Sequence, residues 1–115
     1  MKSLKNLSLA IIFCTYSCGA QTDRTQDLES RIQGLWWYQE TDGSYAEVLI
    51  YDGIFWFFDE RFGIHFYNYK ISDNVLSRYY PSSENLFGEL ILNNVDTNTM
   101  EVLSGNQKFN YNRLS

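Results

Sequence analysis

From Arg31 onward the apolar and polar positions alternate with a period close to two, and Val, Ile, Tyr, Phe and Trp supply most of the apolar ones. That period sends successive side chains to opposite faces of an extended strand. Turn signals interrupt it about every ten residues, and no segment carries convincing helical spacing. The pattern predicts strands over residues 34–40, 45–51, 54–58, 64–71, 75–80, 86–92, 99–104 and 107–113. Asp42-Gly43 and Asp52-Gly53 suit tight hairpins because glycine accepts positive φ. Asp73-Asn74, Gly105-Asn106 and Asp96-Thr97-Asn98 do similar work, and residues 81–85 form the longest loop. Eight short strands joined by hairpins predict an all-β antiparallel up-and-down meander closed into a small barrel, with an open curved sheet as the alternative.

Aromatic residues crowd the stretch from Trp36 to Tyr69. A small barrel without a disulfide needs large side chains, each aromatic covering ~150–250 Å², to bury enough surface. Trp36, Tyr38, Val48, Ile50, Phe55, Phe57, Phe66 and Leu90 are the interior candidates. An eight-stranded barrel is just wide enough for its own side chains, so a shallow rim pocket is expected rather than a roomy calyx. Adjacent aromatics such as Trp36-Trp37 and Trp56-Phe57 point to opposite faces. Trp37 and Trp56 are therefore the candidate exposed patch, suited to sugars, peptides, an envelope protein or a homodimer contact.

Ahead of the domain, residues 7–18 form an apolar run behind Lys2 and Lys5, an export leader too short for a permanent bilayer crossing. Two readings of its end stand. Ser17-Cys18-Gly19 resembles the core of a bacterial lipobox, in which Cys18 is acylated and becomes the new N-terminus. A signal-peptidase cut after Ala20 would instead release a chain beginning at Gln21. No cysteine follows Cys18, so neither Cys14 nor Cys18 has a disulfide partner in the mature domain, which favours acylation. The organisation read from this is a leader over 1–18, a polar spacer over 19–30 and a domain over 31–115. The expected address is the outer membrane of a cell envelope, with the lipid as the only membrane attachment; a soluble periplasmic or secreted protein is the alternative.

Lys2 and Lys5 leave with the leader, so seven Lys and Arg face fourteen Asp and Glu, a net charge of −7. Nucleic acids and anionic lipid surfaces need clustered basic residues to displace counterions and are excluded as partners. A basic enzyme remains open. An acidic periplasmic inhibitor or immunity-type protein would dock against one by steered association.

Catalytic chemistry finds little to work with. His65 is the only histidine and stands between Ile64 and Phe66 in a strand, without the companions a metal cluster or nucleophile needs. Asp59-Glu60 are adjacent carboxylates in a turn and point apart, whereas glycosidic pairs come from separate strands; they read as solvated charges. No phosphate-cradling loop, zinc pair or calcium loop is present in the sequence. The chain is read as non-catalytic and without a cofactor.

The order of motifs resembles that of small lipocalin-like lipoproteins of the Bacteroidetes. Ile32-Gln33-Gly34-Leu35-Trp36 is similar to their Gly-x-Trp opening, and Tyr45 to Phe58 to their strand, Asp-Gly turn, strand unit. Tyr69 to Leu76 is similar to their Tyr-x-Ile hairpin, Glu89 to Leu103 to the next hairpin, and Phe109 to Arg113 to the closing aromatic-x-aromatic-x-Arg strand. The resemblance implies that Trp36 closes one end of the barrel with Arg113 packed over its ring. It also implies a binding domain for a small apolar or sugar-like ligand, or for a neighbouring envelope protein.

Overall fold

A computed structural model of the chain describes residues 25–115. The strands β1 (Gly34–Gln39), β2 (Tyr45–Tyr51), β3 (Ile54–Asp59), β4 (Gly63–Ser72), β5 (Val75–Tyr79), β6 (Leu86–Asn93), β7 (Thr99–Ser104) and β8 (Gln107–Arg113) follow in chain order and close into one antiparallel barrel. This is the up-and-down build of lipocalin-like barrels. Turn chemistry sets the registers. Tyr51 pairs with Ile54 across Asp52 and Gly53, whose φ values of 49° and 84° give the doubly positive turn that matches strand twist.

Closure is made where the chain begins and ends. Trp36 pairs with Arg113 and Trp37 with Asn112, the Leu35 amide donates to the Ser115 carbonyl (2.9 Å), and the Leu114 amide donates to the Leu35 carbonyl (2.7 Å). Both outer strands thereby lose their free edges, and the sheet is not open.

Alternation then fixes the interior. Trp36, Tyr38, Ala46, Val48, Ile50, Phe55, Leu76, Leu90, Leu92, Met100, Val102 and Tyr111 are all buried, and Phe57 is half-buried against them. Phe66 departs from expectation and is 44% exposed. The cause is register: Asp59 pairs with Gly63 across the β3–β4 turn, so Tyr67, Tyr69 and Ile71 take the inward parity of β4 and Phe66 lies opposite Trp56 on the outer side. Asp59 also departs from the solvated role expected of it, because it is the inward-facing end of β3 and only 1% exposed.

The segment before β1 is the third departure. Residues 25–32 form a helix, α1, although 19–30 reads as a spacer in the sequence. Only Leu28 and Ile32 are apolar there, one helical turn apart, and that pair suffices because both face the barrel: Ile32 is fully buried and Leu28 packs on the core. On the other side Asp27 pairs with Arg31 (3.1 Å). The Tyr69 hydroxyl donates to Glu29 (2.6 Å) and accepts from Gln33 Nε2 (2.8 Å), which ties α1 over one end of the barrel. No helix among the described residues is long and apolar enough to cross a membrane.

Candidate functional sites on the barrel wall and ends

The outer wall of β1–β4 carries two cross-strand rows. Leu35, Leu49, Trp56 and Phe66 are successive register partners, and beside them run Trp37, Glu47, Phe58 and Ile64. Leu49, Trp56, Phe58, Ile64 and Phe66 are all exposed. Trp56 tilts on Phe66 with ring centres 5.0 Å apart, and Trp37 stacks on Tyr45 at 6.0 Å. An open groove of about 310 Å³ runs among Leu35, Leu49, Trp56, Phe58 and Ile64. The two tryptophans singled out in the sequence thus lie on one face, in neighbouring rows, with Trp56 the more exposed.

Glu47 is the one charged group in these rows. Its Oε1 accepts from the Tyr45 hydroxyl (2.6 Å), and that bond, with burial and the carboxylate charge, pushes the phenol up to about 12. The result is a fixed acceptor set in an apolar wall.

At the α1 end, the Arg113 guanidinium lies 4.2 Å from the centre of the Trp36 ring. Its Nη1 and Nη2 donate to the carbonyls of Gln33 (2.7 Å) and Arg31 (2.6 Å), and Trp36 Nε1 donates to the carbonyl of Ile32 (2.9 Å). These are carbonyls that the end of a helix leaves without partners. Arg113 therefore caps α1 as well as covering the indole, a structural role.

The opposite end, bearing the turns after β1, β3, β5 and β7, holds two arginines in contrasting settings. Arg61 Nη2 pairs with Glu40 (2.6 Å), Nη1 with Asp42 (2.6 Å) and Nε with Asp59 (3.5 Å). Asp59 Oδ1 also accepts from the backbone amides of Arg61 (2.6 Å) and Phe62 (3.3 Å). Burial works against the Asp59 charge, but contacts with Glu40 and Arg61 outweigh it and hold the carboxyl below its ordinary range. Hydrogen bonds from Ser44 do the same for Asp42, with Arg61 adding to the effect. This is a turn clamp between β1–β2 and β3–β4.

Arg78 faces inward from β5, with its guanidinium carbon 5.2, 5.8 and 4.8 Å from the ring centres of Phe55, Tyr67 and Phe87. Sequence periodicity does not single it out. The available signal is its two-residue spacing from the buried Leu76, which places a cation at an inward position. His65, by contrast, is an exposed strand residue whose Nε2 lies 3.1 Å from the Phe62 carbonyl oxygen. Cys18 lies outside the described residues.

No family model, curated protein or solved structure matches the chain. Function has to be read from the barrel's own surfaces.

Proposed function

We propose that the chain is a non-catalytic binding domain of lipocalin-like kind, displayed at a cell envelope through acylated Cys18, that holds a neighbouring envelope protein against the outer wall of β1–β4. The observation that carries this reading is the pair of cross-strand rows. Large apolar side chains repeat across four strands on the solvent side, and a patch of that kind rimmed by polar residues is characteristic of an interaction site. Glu47 gives the face direction, since a partner that covers it must bring a hydrogen-bond donor or a cation.

The acidic inhibitor reading draws no comparable support. Glu40, Asp42, Asp59, Glu60 and Glu84 lie at one end, Asp27, Glu29, Asp52, Asp73 and Asp96 at the other, and Glu47, Glu89 and Glu101 on the wall, so the charge has no single rim. The test is the size of the assembly in detergent-solubilised envelopes. The unaltered chain is expected to migrate in a complex larger than itself, and the double variant Trp56→Asp, Phe66→Asp as a single chain. Migration of both as single chains would overturn the reading, and a complex containing only this chain would replace it with a homodimer.

A further inference from the structure

Arg78 is a partly buried cation without an ion-pair partner among the described residues. The five ion pairs among the described residues use Arg31, Arg61 and Lys108 besides the carboxylates, and Arg113 donates to backbone carbonyls. Arg78 Nε is buried and has no hydrogen-bond partner among the described residues. Three aromatic faces surround the guanidinium instead. Such contacts offset part of the cost of removing a charge from water but satisfy none of its N–H donors.

Two backbone features build this setting. Arg78 pairs with Gly88 across β5 and β6, where a Cβ would stand 3.5 Å from Nη2; the glycine leaves that edge of the fork uncovered. The register then shifts, so that Tyr79 pairs with Leu86 and Phe87 drops out of the alternation. Without that bulge Phe87 would share the outward parity of Glu89 and Ile91; with it, the ring stacks on Tyr67 at 4.3 Å and covers Arg78. Bulges commonly re-aim a side chain beside a site.

The neighbouring phenols are neutral. Burial raises the Tyr38 and Tyr111 phenols well above their ordinary range, so both keep their protons at neutral pH and neither supplies a negative charge to Arg78. Of the carboxylates at this end, Glu40, Asp42 and Asp59 are held by Arg61, Glu60 accepts from the Tyr45 amide, and Glu84 is exposed in the β5–β6 turn; none forms an ion pair with Arg78. A guanidinium fork among neutral phenols and aromatic faces matches an oxyanion. Above it, Tyr80 and Phe87 are exposed at the rim, with ring centres 5.5 Å apart. Below it, Phe55, Leu76 and Leu90 fill the barrel, so only a small head group can enter.

We propose that Arg78 and its aromatic cage form a binding site for a small organic carboxylate, whose oxygens meet the guanidinium and whose apolar body lies against Tyr67, Tyr80 and Phe87. This site is separate from the β1–β4 wall and does not depend on what that wall binds.

The test is calorimetric titration of the full chain with two matched probe pairs, 1-naphthoate against 1-naphthalenemethanol and dodecanoate against dodecanol. At least one acid is expected to bind tenfold or more tightly than its alcohol, with the preferred pair revealing whether the body is aromatic or acyl. Arg78→Met should abolish that preference while melting no lower than the unaltered chain, because it removes an uncompensated charge and keeps the side-chain volume. Should Arg78→Met not fold, the ¹⁵N signal of Arg78 Nε in the unaltered chain serves instead and is expected to shift on adding the acid alone. Equal affinity for acid and alcohol, no binding of either acid, a preference that survives Arg78→Met, or an unmoved Nε signal would each overturn the proposal.

Discussion

Arg113 covers the face of the Trp36 ring at 4.2 Å while donating to the carbonyls that end α1, so one side chain joins the last strand, the first strand and the helix. Gly34 makes this approach possible. Its φ is 131°, and a Cβ there would stand 2.6 Å from both Arg113 Nη1 and the Ser115 carbonyl oxygen. The Gly-x-Trp spacing thus has a local cause: the glycine clears the path by which the arginine reaches the tryptophan.

Gly34→Ala is therefore expected to destabilise the barrel by roughly 2 kcal/mol or more, since it adds an unfavourable backbone conformation to a clash with main chain. Arg113→Met should cost about 1 to 3 kcal/mol through the lost stacking and carbonyl contacts. Urea unfolding of each variant measures both. Wild-type stability for Gly34→Ala would show that the closed end rearranges freely.

Stability should fall above pH 10. Burial and hydrogen bonding to Glu29 push Tyr69 up to about 12, the Glu47 bond does the same for Tyr45, and burial carries Tyr38 and Tyr111 higher still. Unfolded phenols release protons near 10 that the folded ones retain, so the folded state binds more protons and loses stability as pH rises. Urea midpoints at pH 9 and pH 11 check this, and Tyr69→Phe should reduce the difference.

At the acid end the sign reverses. Asp42 and Asp59 titrate below their ordinary 3.8 in the folded state, so their contribution is present above that value and is lost as pH falls through their folded range. Melting temperature should drop from about pH 4 downward. Asp59→Asn should flatten that drop, and an unchanged acid limb would remove the Arg61 clamp from the account.

If Cys18 carries the anchor, Cys18→Ala should leave the chain unprocessed or move it from the membrane fraction to the soluble one. Mass spectrometry of the mature N-terminus separates this from cleavage after Ala20.

The strands were legible because the period-two pattern and the turn residues act locally: Asp52-Gly53 specifies its hairpin regardless of what the barrel packs against. Features set by register or by distant contacts were not. Phe66 has the composition of a core residue, and only the three-residue β3–β4 connection turns it outward. Phe87 needs the bulge beside Arg78 to face inward. α1 has just Leu28 and Ile32 to announce it, and its order comes from the barrel end it covers, through Tyr69, Gln33 and Arg113. The outward placement of Trp37 and Trp56 followed from alternation, whereas their arrangement in adjacent rows depends on pairings among four strands.

The wall of β1–β4 is the centre of the functional account, and photo-crosslinking in intact cells tests it most directly. A photoreactive phenylalanine analogue at position 66 reports on the apolar rows, and the same analogue at position 89, exposed on β6, reports on the opposite wall. The account predicts one heterologous adduct of defined mass from position 66, abolished by Trp56→Asp, and none from position 89. Equal adducts from both positions, or none from position 66, would contradict it.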